Sequence, residues 1–190
     1  MGLTGSLGSG KSTVAALLRA RGYPVLDADA LAREGRKALK EEICRSLPEA
    51  CREGVLDDKL LARLVFSDRE KLHILEGLLH PYVRRRLLEE MARQGQGASI
   101  VFLEIPLLFE VGWEKELDRT LVVAAPLEAR LERVRLRSGL SREEALRREA
   151  RQLSQEEKVR RADYVIWNTG DLSQLEKAVE ALLKVLEARP

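Results

Sequence analysis

GSLGSGKST, residues 5 to 13, begins after only four residues and decides how the rest of the chain is read. Gly5, four residues, and then Gly10-Lys11-Ser12 fit the spacing G-x-x-x-x-G-K-[ST] of a phosphate-binding loop. Each part has a chemical reason. The glycines let the backbone curl until several N–H groups face one anion. The following stretch, VAALLRARG (14 to 22), has apolar residues at helical spacing, so its N-terminus faces the same anion. The ammonium of Lys11 would reach the outer phosphates, and the hydroxyl of Ser12 would be offered to Mg²⁺.

Outward from the loop, the chain is 190 residues long, enough for one sizeable core. Only 4% of the residues are aromatic, which argues against a base-stacking nucleic-acid surface. No apolar run reaches membrane length, and the expected compartment is the cytoplasm. Cys44 and Cys51 lack metal-ligand spacing and are expected to be reduced thiols. His73 and His80 are too few for a histidine-based metal site. The net charge is +2, yet residues 127 to 161 hold eleven Lys or Arg against seven Asp or Glu, an excess of +4. A basic segment in a phosphate-binding chain points to an anionic ligand, although a solvated helical hairpin would also account for it.

Five strands are expected: residues 1 to 4, YPVLDA (23 to 28), SIVFLEI (99 to 105), TLVVAA (120 to 125) and DYVIWN (163 to 168). Most are continuous apolar runs, as in parallel strands buried on both faces. Helical stretches separate them, so the class is α/β: a five-stranded parallel sheet flanked by helices and joined by crossovers. Two connections are too long for a simple crossover. The first reads as helical throughout, with a capping box at Ser67 to Glu70 and Pro81 opening a helix. In the second, one helix stops near Gly139 and Ser141 with Glu144 can cap the next. The expected division is a core of residues 1–28, 98–126 and 162–190, a helical insert of residues 29–97, and a second flap of residues 127–161.

Candidate residues lie where strands end, as ligands do in open α/β sheets. Asp27 and Asp29 are read as the end of the second strand, with both side chains on one face. A carboxylate there either accepts a proton from a substrate hydroxyl, helps hold Mg²⁺, or caps the next helix. Glu104, ending the third strand, is a second candidate for the metal or a polar strand terminus. Arg133 and Arg137 share a helix face, as do Arg148 and Gln152.

LTGSLGSGKSTVA, VLDADALA, LLHPYVRRRL, VFLEIPLLFE, the basic segment ending REARQ, and ADYVIWNTG occur in the order seen in dephospho-CoA kinases. The resemblance runs from Met1 to about Gly170. It implies a P-loop kinase fold with a helical coenzyme-A domain and a lid. It also implies transfer of the ATP γ-phosphate to the ribose 3′-hydroxyl of dephospho-CoA, the last step of coenzyme A biosynthesis. By resemblance, Gly5, Gly8, Ser9, Gly10, Lys11, Ser12 and Thr13 hold ATP, with Arg148 and Asn168 at the nucleotide. Asp29 matches the general base, and Lys11 and Arg137 supply catalytic charge. His80, Leu107, Leu108 and Glu110 lie on the substrate side with Asp29. Mg²⁺ falls to Ser12, with Asp29 or Glu104 as further candidates, although Glu104 stands where the family frequently has Asp. The expected partners are ATP and dephospho-CoA, not nucleic acid or membrane, and the chain is expected to be a monomer or weak homo-oligomer. A different small-metabolite or nucleoside monophosphate kinase is the alternative. A GTP-dependent switch is disfavoured, because no N-K-x-D follows a late strand.

Overall fold

The computed structural model describes residues 1–93 and 100–188. The chain divides into two compact units, one of residues 1–26 with 96–190 and one of residues 27–95.

The first unit is built on β1 (Gly2–Gly5), α1 (Lys11–Ala20) and β2 (Val25–Asp27), joined by later strands. In the sheet, β5 (Phe102–Glu104), β6 (Thr120–Ala124) and β7 (Tyr164–Trp167) give the order β2-β5-β1-β6-β7. β1 runs parallel to β5 and β6, and β6 parallel to β7. The apolar runs become strands because both faces are covered: every residue of β6 is buried. On one face Leu3, Phe102, Leu121, Val123 and Ile166 pack with Val14 and Leu18 of α1. Leu175, Val179 and Leu183 of α9 (Leu172–Glu187) complete that cluster. Between β6 and β7 lie α6 (Leu127–Ser138), α7 (Arg142–Glu149) and α8 (Gln155–Arg161). α6 ends at Gly139 in the left-handed region, and the Ser141 hydroxyl accepts the Glu144 N–H at the start of α7, as the sequence predicts. Ser99, expected as strand, lies outside the described residues.

The second unit contains α2 (Ala28–Ala38), α3 (Lys40–Ser46), β3 (Cys51–Arg52), β4 (Val55–Leu56), α4 (Asp58–Ser67) and α5 (Arg69–Arg93). Its centre is Ile43, Leu47, Ala50, Leu61, Leu75 and Leu79. Four expectations are corrected here. The insert is not wholly helical: β3 and β4 form an antiparallel hairpin. Glu53 and Gly54 both take positive φ, the twist a two-residue hairpin turn requires. Asp68, not Ser67, caps α5 by accepting the N–H groups of Glu70 and Lys71, while the Ser67 hydroxyl donates back to the Arg63 and Leu64 carbonyls. Pro81 opens no helix but sits inside α5. Its ring removes one N–H and crowds the turn before it, yet Leu75, Leu79, Tyr82 and Val83 are buried on both sides of it. Packing outweighs the local break.

The fourth correction concerns the cysteines. Cys44 and Cys51 form a disulfide. A 3₁₀ turn over Pro48–Ala50 reverses the chain after α3 and brings the two Cα atoms to 5.8 Å, within bridging range. Their separation in sequence carries no sign of that turn.

Candidate active site

β1 ends at Gly5 and α1 begins at Lys11, so the loop between them turns back on the sheet edge. Gly8 and Gly10 have φ of 76° and 95°, a region that side chains disfavour. A Cβ on Gly8 would also strike the Arg130 backbone, and one on Gly10 the Asn168 amide. The first turn of α1 has no side-chain cap, leaving its N–H groups to a ligand. They face a cavity of about 220 Å³ lined by residues 5 to 13 with Pro106, Arg137 and Gln152. The hydroxyl-bearing Ser12 and Thr13 are exposed there. Lys11 Nζ lies 3.6 Å from Glu104 Oε1 at the end of β5, and both side chains are mostly buried.

The loop is braced from behind. Asn168, buried just after β7, donates from Nδ2 to the Ser9 carbonyl at 3.0 Å. Arg133 of α6 donates to the Gly8 carbonyl at 3.2 Å and the Ser9 carbonyl at 3.4 Å, and to the Asn168 carbonyl at 2.9 Å. A guanidinium spends its rigid fork on three carbonyls, which fixes the curl that phosphate oxygens need. Arg130, one turn earlier, donates to the Ala125 carbonyl at 3.1 Å and pairs with Glu149 at 2.6 Å. A second polar cluster joins the loop after β5 to α8. Lys158 is fully buried, with Nζ 3.5 Å from Glu110 Oε2 and 3.3 Å from Gln152 Oε1. Burial pushes its ammonium below the ordinary lysine value, and the Glu110 carboxylate opposes that shift.

A glycine cradle with a lysine and an arginine lining the same cavity suits phosphates, and such loops serve several kinase families. The comparison that decides between them is with the family model of dephospho-CoA kinase, which matches residues 1–174. The chain belongs to the dephospho-CoA kinase family. It is 59% identical over 186 residues to the dephospho-CoA kinase of Thermus thermophilus, covering 98% of this chain and 91% of that one. It is 50% identical over 190 residues to that of Deinococcus radiodurans, covering 98% and 92%. Among solved structures, TT1252 of Thermus thermophilus matches with a TM-score of 0.80 at 59% identity, over 97% of this chain and 96% of that one. Dephospho-CoA kinase from Campylobacter jejuni matches with a TM-score of 0.65 at 30% identity, over 97% and 95%.

Within this dephospho-CoA kinase framework, the sequence candidates fall into three groups. Gly5, Gly8, Ser9, Gly10, Lys11, Ser12, Thr13 and Arg137 all line one cavity. Others are placed differently from expectation. Arg148 is exposed and pairs with Glu144 at 3.4 Å, while its neighbour in the motif, Gln152, lines the cavity instead. Asn168 supports the loop backbone and is not among the residues lining the cavity. Leu108 is fully buried, a core role, while Leu107 is 39% exposed. Asp29 and His80 belong to the second unit. Asp29 does not end a strand: β2 stops at Asp27, whose carboxylate caps α2 by accepting the Asp29 and Ala30 N–H groups. Asp29 therefore stands exposed in the first helical turn. His80 is half-buried on α5. The sequence marks Arg133 only as sharing a helix face with Arg137, without its loop-bracing role, and does not single out Lys158, since among the ten arginines of residues 127–161 it reads as one more solvated charge. Its two flanking positions, Glu157 and Val159, are only half-buried, so the third dimension alone reveals its burial.

Proposed function

We propose that the chain transfers the γ-phosphate of ATP to the ribose 3′-hydroxyl of dephospho-CoA, giving coenzyme A and ADP. The observation that carries this is the cavity walled by the curled backbone of residues 5 to 13, in a chain of this family. Phosphoryl transfer asks mainly for alignment and charge neutralisation. Lys11 supplies a point charge to the outer phosphates, and Arg137, which lines the same cavity, adds a forked cation. Asp29 receives the proton leaving the acceptor hydroxyl. Residues 127–161 act as the lid that excludes water from the transferred group.

Mg²⁺ fits the donor set at the loop. The exposed Ser12 hydroxyl and the Glu104 carboxylate beside Lys11 are hard oxygen ligands that would hold it together with phosphate oxygens. When bound, the ion neutralises charge on the β- and γ-phosphates. The kinase is proposed to work in the cytoplasm, as a monomer or weak homo-oligomer.

The test is a coupled ADP-release assay with dephospho-CoA, AMP, CMP and shikimate as acceptors, followed by mass spectrometry of the product. Dephospho-CoA should give the highest kcat/KM, with one added phosphate on the 3′-oxygen and no turnover after EDTA. Preferred phosphorylation of AMP or CMP at the 5′ end would replace this reading.

A further inference from the structure

Gln152 lines the phosphate cavity together with Lys11 and Arg137. It lies between α7 and α8, half-buried, and its side chain meets a partner that settles its orientation. Lys158 Nζ is 3.3 Å from Gln152 Oε1. An ammonium only donates, so the amide turns its oxygen to Lys158 and its NH₂ away. Among the described residues no acceptor takes that NH₂. The holder is itself held. Lys158 is fully buried, with Nζ 3.5 Å from Glu110 Oε2. The same carboxylate oxygen accepts the Leu153 N–H at 3.4 Å, which fixes the backbone next to Gln152. The Gln152 N–H donates to the Glu149 carbonyl at the end of α7, at 2.9 Å. α8, which carries Lys158, is docked just past the end of β6. The Gln155 amide there accepts the Ala125 N–H at 3.1 Å and donates to the Ala125 carbonyl at 2.9 Å.

We infer that Gln152 is a further catalytic residue, whose NH₂ donates to an oxygen of the transferred phosphoryl group, and that Lys158 is the positioning residue that aims it. The inference rests on the proposed phosphoryl transfer. Lys158 cannot serve the phosphate directly: it is fully enclosed, and its donors go to Glu110 and Gln152. Burial is the largest influence on its ammonium and Glu110 the next, and Lys11 is close enough for its charge to act there too. The Gln152 amide therefore stands at the Lys11 end of the cavity, where the outer phosphates lie. During transfer, charge spreads over the three equatorial oxygens of the phosphoryl group. A donor already locked in place stabilises that charge with no reorganisation at the moment of reaction. The buried pair thus acts at one remove. Glu110 keeps Lys158 charged, Lys158 holds the amide oxygen, and the amide nitrogen is left to the phosphate.

The experiment is steady-state kinetics with dephospho-CoA and ATP on the wild type, Gln152→Met, Lys158→Met and the pair, with Arg151→Met as an exposed neighbouring control. Methionine keeps the length of glutamine and removes its donor. Gln152→Met should lower kcat about tenfold to a hundredfold, the loss expected for a hydrogen bond to a charged group, with the KM for ATP within about threefold. Lys158→Met should lower kcat in the wild-type background. In the Gln152→Met background it should cost less than about twofold more, because nothing is left to aim. Arg151→Met should behave as wild type. Circular dichroism and the unfolding midpoint accompany each variant. Where Lys158→Met fails to fold, Glu110→Gln is added to both Lys158 variants, so that no unpaired carboxylate stays buried, and Gln152→Met should again cost little more on that background. A kcat for Gln152→Met within about twofold of wild type overturns the assignment of Gln152. Losses that add in full in the pair overturn that of Lys158. Failure of the wild type itself to phosphorylate dephospho-CoA is a separate result and would remove the proposed function first.

Discussion

Two cations at the phosphate loop do different work, and their substitution separates charge from scaffold. Lys11 points into the cavity and touches protein chiefly through Glu104. Lys11→Met should therefore lower kcat by roughly a hundredfold or more, the cost of removing one preorganised charge from a transferring group. The protein should stay folded, with an unfolding midpoint lowered only by the loss of the Glu104 counter-charge. Near-normal turnover in this variant would contradict the loop's assignment. Arg133 makes no use of its charge on the ligand side. Its guanidinium holds the Gly8, Ser9 and Asn168 carbonyls. Arg133→Ala removes that donor from the Gly8 and Asn168 carbonyls, while the Ser9 carbonyl keeps the Asn168 amide, and should cost about 1–3 kcal/mol of stability. It should raise the KM for ATP more than it lowers kcat, as expected for a loop that has lost its shape. Calorimetry and initial rates on the same preparation read both effects.

At the level of elements, α5 keeps a proline in mid-helix because the apolar stripe on either side of it is buried. Pro81→Ala restores a donor to the helix ladder and relieves the crowded turn. It should raise the unfolding midpoint, by an amount equivalent to as much as about 3 kcal/mol. A fall would mean that the ring itself fills space the alanine cannot. The joint between the loop after β5 and α8 makes an opposite prediction. Glu110→Gln leaves the fully buried Lys158 without its counter-charge, which should destabilise by about 3 kcal/mol near neutral pH. The sign of its pH dependence follows from the direction of the shift. The Lys158 pKa is already below 10.5 in the native protein and should fall further in the variant. Between the native value and 10.5 the unfolded chain binds the extra proton, so stability rises with pH there. The deficit relative to wild type is fully present below the variant's own lowered value and fades as pH rises from there to the wild-type native value, above which both native states hold a neutral lysine. Urea unfolding at a series of pH values measures it, and a deficit independent of pH would point to lost packing instead.

For the molecule as a whole, nucleotide binding is coupled to stability because the curled loop exists only in the folded first unit. ATP with Mg²⁺ at a hundred times its Kd should stabilise that unit by about 2.7 kcal/mol. Thermal scans with and without nucleotide should show this rise in the wild type and a much smaller one in Lys11→Met. A rise of equal size in both would place ATP elsewhere.

The phosphate loop, the parallel sheet and the kinase family were legible in the chain because each is local or periodic. G-x-x-x-x-G-K-S is a contiguous pattern, and doubly buried strands announce themselves as unbroken apolar runs. The Ser141 cap was legible for the same reason, since its donor is three residues away. What the sequence could not determine are features in which distant residues compete for a neighbour. Asp29 looked like a strand end until the Asp27 carboxylate, by capping α2, ended the strand two residues sooner. Pro81 looked like a helix start until burial on both sides of it outweighed a lost hydrogen bond. The cysteines looked like separate thiols until a short turn reversed the chain between them. Lys158 read as one more solvated cation, and Arg133 as one side of a basic helix face, until the fold enclosed the first and set the second against three carbonyls. Charge type is written in the sequence, but whether a charge meets water, a partner or a backbone carbonyl depends on long-range packing, and only the tertiary structure sets that.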